Sequence, residues 1–213
     1  MKPLILALDT THEFGSVALL RGVDLLEEAL LHEPAGFAHV LYGHLESLLA
    51  RQGVDKRQID CFAAASGPGS FTGVRVGLAA VKGLAEALSR PAVGVSNLEA
   101  IAAFGSAALR APMLDARRGE IYGAVYDASG ALVLPEVVAK WEDWLKTLPA
   151  GAEIVTPDAI DLHGVPATAA PRALAAAIGR IALGRYERGE ACDPAALDAN
   201  YVRRSDAELF WKE

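Results

Sequence analysis

Short apolar runs alternate with amphipathic segments along the first half of the chain. Residues 4–8 are continuously apolar and end at an aspartate, which predicts a buried strand followed by a turn. Residues 16–20 and 25–32 predict two further strands, so the chain opens with a β-meander. Leucines then recur at helical spacing over residues 38–52, and Gly53 is a suitable C-terminal stop for that helix.

A glycine-rich loop separates the next strand from a long helix. Residues 61–65 form another apolar run, which leads directly into Ser-Gly-Pro-Gly-Ser-Phe-Thr-Gly. Glycines permit a sharp turn, and the helical pattern that follows extends to about residue 89. A strand ending at residue 95 and a helix over about 98–108 complete the predicted first half.

The second half repeats this order of elements without repeating the sequence. The predicted strands are residues 112–116, 120–126, 131–138 and 153–156, and the predicted helices are 141–148 and 171–188. A Gly/Pro/Ala-rich connector over residues 164–170 joins the last strand to the last helix. We therefore predict an α/β protein with two related lobes, 1–105 and 106–213, whose terminal segment is able to pack back on the first lobe.

Composition narrows the possible functions. The chain has 213 residues, 52% of them hydrophobic, and a net charge of −7 from 20 basic and 27 acidic residues. An acidic chain is not expected to grip nucleic acid by itself, because phosphate binding relies on Lys and Arg. Cys61 and Cys192 are too few for a disulfide scaffold, and no apolar run approaches the ~20 residues of a membrane span. These observations predict a cytoplasmic protein without a membrane segment.

Four residues are candidates for holding a nucleotide. Gly67 and Gly69 precede a helix N-terminus, where backbone N–H groups can bind phosphate, but no Lys follows Gly73 as a phosphate loop requires. A tight packing turn explains these glycines equally well. Asp9 and Thr10 end the first strand, where the carboxylate could face a phosphate or could cap the following turn. We expect at most weak nucleotide binding at these positions.

The long helix after the loop has two apolar faces, one of large and one of small side chains. Two apolar faces need two surfaces to pack against, and the sheet supplies only one. The other surface could be the 38–52 helix of the same chain or a helix of a partner. The candidate partner-binding residues on these two helices are Leu41, Leu45, Leu48, Val76, Ala79, Ala80, Gly83 and Ala87.

Two arginine pairs remain open to two interpretations. Arg117 and Arg118 lie in a predicted hairpin turn, where they could face a carboxylate or phosphate or could be solvated. Arg203 and Arg204, near the C-terminus, could touch an RNA in a complex, although the net charge of −7 makes this unfavourable.

The sequence of residues 66–85 resembles the signature of the TsaB (YeaZ) family. The resemblance continues over residues 8–11, 91–100 and 115–123, and it ends faintly at 201–203. It implies the two-lobed actin-like fold shared by sugar kinases, Hsp70 and actin. This agrees with the duplicated order of elements that the hydrophobic pattern predicts.

The resemblance also implies a function. TsaB-like chains resemble TsaD, the catalytic protein that adds threonylcarbamoyl to an adenosine beside the tRNA anticodon. TsaD ligates metal with two histidines four residues apart, and the matching positions here are Asn97 and Ile101. Ile cannot ligate a metal and Asn is a poor substitute for imidazole, so neither a metal site nor catalytic residues are expected.

We therefore expect a non-catalytic scaffold that binds a TsaD-like catalytic subunit. The resemblance implies a TsaE-like ATPase subunit reached through the complex, only indirect contact with tRNA, and a homodimer when the chain is alone. One alternative is an independent ATP-dependent phosphotransferase of the same fold, which would use Asp9, Thr10 and the Gly67 loop. A metallopeptidase is the third and least supported alternative, since paired metal-ligand spacing is missing from the sequence.

Overall fold

The first half of the chain forms a five-stranded mixed sheet. The structure is a computed structural model that describes residues 2–160 and 162–203. The strands of the first sheet lie in the order β3-β2-β1-β4-β5. They are β1 (Leu4–Asp9), β2 (Phe14–Arg21), β3 (Asp24–His32), β4 (Cys61–Gly67) and β5 (Ala92–Ser96). The first three strands are antiparallel, while β4 and β5 continue from β1 as parallel strands.

The second half forms a sheet of the same design. Its order is β10-β9-β6-β7-β8, with an antiparallel β6-β7-β8 meander and two parallel strands beside β6. The strands are β6 (Leu109–Arg117), β7 (Glu120–Asp127), β8 (Leu132–Lys140), β9 (Glu153–Thr156) and β10 (Ala167–Ala169). The predicted duplication is thus present, although β10 lies in the segment that the sequence predicted as a connector.

Helices cover both faces of the first sheet. The helices of the described residues are α1 (Leu41–Arg51), α2 (Phe71–Ala87), α3 (Asn97–Ala102), α4 (Trp141–Leu145) and α5 (Ala175–Glu187), with short 3-10 helices at Lys56–Gln58 and Pro194–Ala196. Of these, α4 packs on β7 and β8 of the second sheet. Helices α1 and α2 share one core cluster with Leu4, Leu6 and Leu8 of β1. Helices α3 and α5 share the other cluster with Ile5 and Ala7. Because alternate residues of β1 point to opposite faces, burial on both faces accounts for its continuously apolar sequence.

Helix α5 belongs to the second half of the chain but packs on the first sheet, against β1 and β2. The hydroxyl of Ser16 accepts the backbone N–H groups of Leu174 and Ala175 at 3.0 and 2.9 Å, so it caps this helix from β2. The sequence predicted that this helix starts at Pro171, but it begins four residues later, at Ala175.

The lobe boundary at residue 105 stays a prediction, and residues 204–213, including Arg204, lie outside the described residues.

The predicted role in partner binding requires correction for four residues. Leu41, Leu45 and Leu48 form the inward arc of α1, and all three are buried in the core cluster beneath it. Ala80 on α2 is only 4% exposed and belongs to the same cluster. These side chains stabilise the chain's own fold, so the prediction that they contact a partner is wrong.

None of the helices within residues 2–160 and 162–203 combines the length and the hydropathy that crossing a membrane requires.

Candidate functional site

Asp9 is buried at the end of β1, with 1% of its surface exposed. Its Oδ1 atom accepts the Thr11 backbone N–H at 2.8 Å and the Thr11 hydroxyl at 2.7 Å. Its Oδ2 atom accepts the side-chain amide of Asn97 at 3.3 Å. The carboxylate therefore caps the turn that follows β1 and is fully engaged within the chain.

Thr10 and the glycine-rich loop make a close packing contact. The Thr10 hydroxyl donates to the carbonyl of Gly73 at 2.8 Å. A Cβ atom on Gly73 would lie 2.1 Å from the Thr10 carbonyl oxygen, and one on Gly69 would lie 2.7 Å from the Thr11 Cβ atom. Glycine is needed at both positions because any side chain would clash with the turn after β1. The loop thus anchors α2 against that turn.

A narrow cavity lies beside Asp9, between the turn after β1 and the end of β6. Its volume is about 90 Å³, and Asp9, His12, Arg117, Asp158 and Arg172 are among its lining residues. Pockets for small ligands typically have volumes of ~300–1,000 Å³. Nucleotide binding at Asp9, Thr10, Gly67 and Gly69 stays a prediction, but the size of this cavity and the burial of Asp9 and Thr10 argue against it.

Asn97 and Ile101 occupy the positions where the family resemblance implies histidine ligands in TsaD. Asn97 is fully buried, its amide donates to the Thr11 hydroxyl at 2.9 Å, and its Oδ1 atom accepts the Gly67 N–H at 3.2 Å. Ile101 is buried in the cluster shared by α3 and α5. These residues do not fit a metal ion, because one has no ligand atom and the other has engaged both ends of its amide. No group of three or more His, Cys, Asp or Glu suited to a metal occurs within residues 2–160 and 162–203.

Helix α2 exposes a face of small side chains. Ser70 caps its N-terminus, and Val74, Leu78, Val81 and Ala85 bury its other side against the first sheet. Ala79, Gly83 and Ala87 are exposed and Val76 is half-buried; we call these four residues the small face of α2. A Cβ atom added to Gly83 would meet no atom within 4 Å. On the same side of the sheet, α1 exposes Tyr42.

The C-terminal segment crosses between the two sheets. The Asn200 N–H donates to the Ser66 carbonyl at 2.8 Å in the first lobe, and Arg203 forms an ion pair with Glu120 of β7. Glu136 of β8 accepts hydrogen bonds from Ser96, Tyr126 and Asn200. Burial raises the pKa of Tyr126 far above its ordinary value, and the Glu136 carboxylate raises it further. The sequence carries no signal for this junction, because Ser96 and Asn200 lie 40 and 64 residues from Glu136.

A cleft of about 530 Å³ opens where this segment meets the glycine-rich loop and the β6–β7 turn. Arg117 and Arg118 lie in that turn and line the cleft together with Arg203. The two arginine pairs that the sequence singled out therefore contribute three side chains to one cavity. Phe71 and Tyr201 also line it.

Comparison with known proteins identifies the family. The family TsaD, tRNA N6-adenosine threonylcarbamoyltransferase, matches residues 36–174. The tRNA threonylcarbamoyladenosine biosynthesis protein TsaB of Bacillus subtilis is 31% identical, and the match covers 98% of both chains. The chain belongs to the TsaB (YeaZ) family. The Escherichia coli TsaB is 34% identical over 63% of this chain and 64% of its own.

A solved TsaB-family structure confirms the predicted fold. YeaZ from Pseudomonas aeruginosa is 30% identical and superposes with a TM-score of 0.77, covering 93% of this chain and 99% of its own. Together with the match to TsaD and the two sheets of equal topology, this establishes the two-lobed actin-like α/β fold. It also places the chain in a family whose curated members are named for tRNA threonylcarbamoyladenosine biosynthesis.

Proposed function

We propose that this chain is a non-catalytic subunit needed for threonylcarbamoyl transfer to the adenosine next to the tRNA anticodon. In this proposal it acts by binding a TsaD-like catalytic subunit, which supplies the metal and the reacting groups. A TsaE-like ATPase joins through the complex. When the catalytic subunit is missing, the chain pairs with a second copy through the same surface.

The observation that carries this proposal is the small face of α2. An exposed helical surface of Ala, Gly and Val lets another helix approach closely, since the distance between helix axes depends on the side chains at the contact. The same surface offers little hydrogen bonding to water, and burying it would stabilise a complex. Tyr42 on α1 is an exposed aromatic of the kind that anchors protein interfaces.

The region around Asp9 supports a non-catalytic role. Its carboxylate, the Thr11 hydroxyl and the Asn97 amide satisfy one another's hydrogen bonds in a buried cluster. A catalytic carboxylate or hydroxyl must be able to reach a substrate. Asp9 and Thr11 are closed to solvent, so we assign them to the stability of the turn and not to chemistry.

The test is a substitution at Gly83. Gly83→Arg places a long cation on the small face, and its Cβ atom would meet no other atom within 4 Å. The substitution should stabilise α2 by up to ~1 kcal/mol because Arg favours helices more than Gly. We expect the variant to fail to co-elute with the TsaD-like subunit in size-exclusion chromatography, at concentrations where the wild type forms a stable complex.

The matched control is Ala103→Arg. Ala103 is an exposed alanine at the end of α3, which packs on the opposite face of the first sheet. This variant adds the same charge and should assemble normally. Normal assembly of Gly83→Arg would show that the small face of α2 is not the interface. Ala80 is unsuitable for this test because an arginine there would disrupt the core.

A further inference from the structure

The exposed residues of α2 continue in one line beyond the small face, towards the start of the helix. Phe71 and Arg75 are exposed and precede Ala79, Gly83 and Ala87 at intervals of four residues. Residues four apart on a helix are neighbours, with Cβ atoms about 5–6 Å apart, so the five residues form one continuous ridge. One end of this ridge carries an aromatic ring and a positive charge, whereas the other end consists of small residues.

The C-terminal segment adds a second ring beside Arg75. Tyr201 and Phe71 are 47% and 45% exposed, with ring centroids 5.4 Å apart. The Arg75 guanidinium carbon lies 3.5 Å from the Phe71 centroid, and its Nε–H group donates to the Tyr201 hydroxyl at 2.9 Å. We call these three residues the arginine–aromatic cluster. These contacts hold the guanidinium at the surface in one orientation, which lowers the side-chain entropy that is lost when a partner binds.

In the part of the chain that the structure describes, Arg75 has no carboxylate partner, and its Nη1 and Nη2 groups donate no hydrogen bond. Other exposed arginines do have such a partner. Arg51 lies 2.6 Å from Glu27, and Arg57 lies 2.7 Å from Asp55. The terminal N–H groups of Arg75 are therefore free to pair with a carboxylate of another protein, in the bidentate geometry that arginine favours.

The charges of α2 favour an acidic partner at this end of the helix. The charged residues of α2 are Arg75, Lys82 and Glu86. Glu86 is separated from Arg75 by 11 residues, or about 16 Å along the helix axis, which is roughly twice the Debye length at physiological salt. Glu86 therefore does not compensate Arg75, and the cluster end of the ridge is positive.

We propose that Arg75 determines the specificity of the partner surface by pairing with an Asp or Glu on a helix of the TsaD-like subunit. This inference rests on the proposed function, because it assumes that this subunit binds the small face of α2. The small residues let the partner helix lie close along the ridge, and its carboxylate meets the guanidinium between Phe71 and Tyr201. Arginine and tyrosine are enriched among the residues that dominate binding energy. A helix without a carboxylate at this position would bury Arg75 uncompensated, so the same residue excludes wrong partners.

The test measures binding of the full chain to the TsaD-like subunit by calorimetry. Arg75→Gln removes the charge and keeps a long polar side chain, and it should raise Kd at least about tenfold because a buried charge pair is lost. Arg75→Glu should raise Kd further, since two carboxylates then face each other. Arg75→Lys keeps the charge without the planar pairing group, so its Kd should lie between those of the wild type and Arg75→Gln.

The matched control is Arg180→Gln. Arg180 is an exposed arginine of α5, which packs on the opposite face of the first sheet, and its replacement should change Kd less than about twofold. Salt dependence separates a charge contact from an effect on packing. The wild-type Kd should rise as NaCl is raised from about 50 to 500 mM, and this rise should be smaller in Arg75→Gln.

The outcomes distinguish this inference from the proposed function. Wild-type affinity of both Arg75→Gln and Arg75→Glu, together with loss of binding in Gly83→Arg, would overturn the role of Arg75 and leave the partner surface in place. An equal loss in Arg180→Gln, an unchanged salt dependence in Arg75→Gln, or an effect of Arg75→Glu on self-association alone would also overturn it. Failure of the wild type to bind the TsaD-like subunit would overturn both proposals.

Discussion

Asn97 has a structural role at a position where the family resemblance implies a metal-binding histidine in TsaD. Its side chain joins the turn after β1, through Asp9 and Thr11, to the end of β4, through the N–H of Gly67. An amide suits this place because it donates to an acceptor on one side and accepts a donor on the other. We therefore interpret Asn97 as a member of a buried polar network, and we do not interpret its position as an empty metal site.

Removing this amide should destabilise the chain. Asn97→Ala leaves Gly67 N–H and one oxygen of Asp9 without their partner in a buried region, which costs ~1–3 kcal/mol. For a chain of this length each kcal/mol lowers Tm by ~2–4 °C. Thermal unfolding followed by circular dichroism should show this loss, while Thr72→Ala at an exposed position of α2 should change little. An unchanged Tm for Asn97→Ala would contradict the assigned role of the network.

The sequence left two possible roles open for Asp9. A carboxylate at the end of a strand is compatible with facing a phosphate and with capping a turn. Asp9 takes the second arrangement because Thr11, two residues later, supplies both an N–H and a hydroxyl. The third donor comes from Asn97, 88 residues away, and local sequence contains no information about that contact.

For the secondary-structure elements, hydrophobic periodicity identified the helices, but it did not show which face of each helix is buried. The leucines of α1 were correctly placed on one arc, but that arc faces the sheet. On α2 the small residues were divided wrongly at Ala80, which lies at the border between the two faces and is buried. A helical wheel gives the angles between side chains, whereas the sheet that the helix packs on decides which angle is buried.

The start of α5 illustrates a second limit. Pro171 is well suited to a first helical position, yet the helix begins at Ala175. Ser16 of β2 accepts two N–H groups at this end, and the Glu28 carboxylate of β3 accepts the N–H of Ala176 at 2.7 Å. These caps come from about 150 residues earlier in the chain, so only the folded structure could fix this boundary.

A partly buried ion pair ties α5 to α3 and β5. Arg185 donates to both oxygens of Glu99 at 2.8 and 2.7 Å and to the Gly94 carbonyl at 2.7 Å. The Glu99 side chain is 14% exposed. Burial raises its pKa above the ordinary value of 4.5, although the Arg185 guanidinium opposes this shift.

This shift predicts how stability depends on pH. Because folded Glu99 holds its proton more tightly than unfolded Glu99, its titration favours the folded state fully below pH 4.5, and that contribution is lost as the pH rises through the raised pKa. The free energy of unfolding of the wild type relative to Glu99→Gln, which does not titrate, should therefore fall from pH 4.5 towards neutrality. Urea unfolding at several pH values measures this difference, and a difference that rises with pH would contradict the prediction.

At the scale of the whole molecule, the repeated order of elements was sufficient to predict two α/β lobes. Each half has an antiparallel meander followed by parallel strands, and these patterns are local. The cleft between the lobes could not be predicted in the same way. Its lining combines the glycine-rich loop, the β6–β7 turn and the C-terminal segment, which are separated by about 50 to 80 residues along the chain.

We propose that this chain contributes to tRNA modification by docking to a catalytic subunit and not by chemistry of its own. The most direct measurement is threonylcarbamoyl transfer to tRNA with the purified chain alone, with the TsaD-like and TsaE-like proteins alone, and with all three together. We predict no transfer by this chain alone, and transfer that rises as it is added to the other two until the TsaD-like subunit is saturated. Turnover of a threonylcarbamoyl donor by the isolated chain, or full activity of the other two proteins without it, would contradict the account.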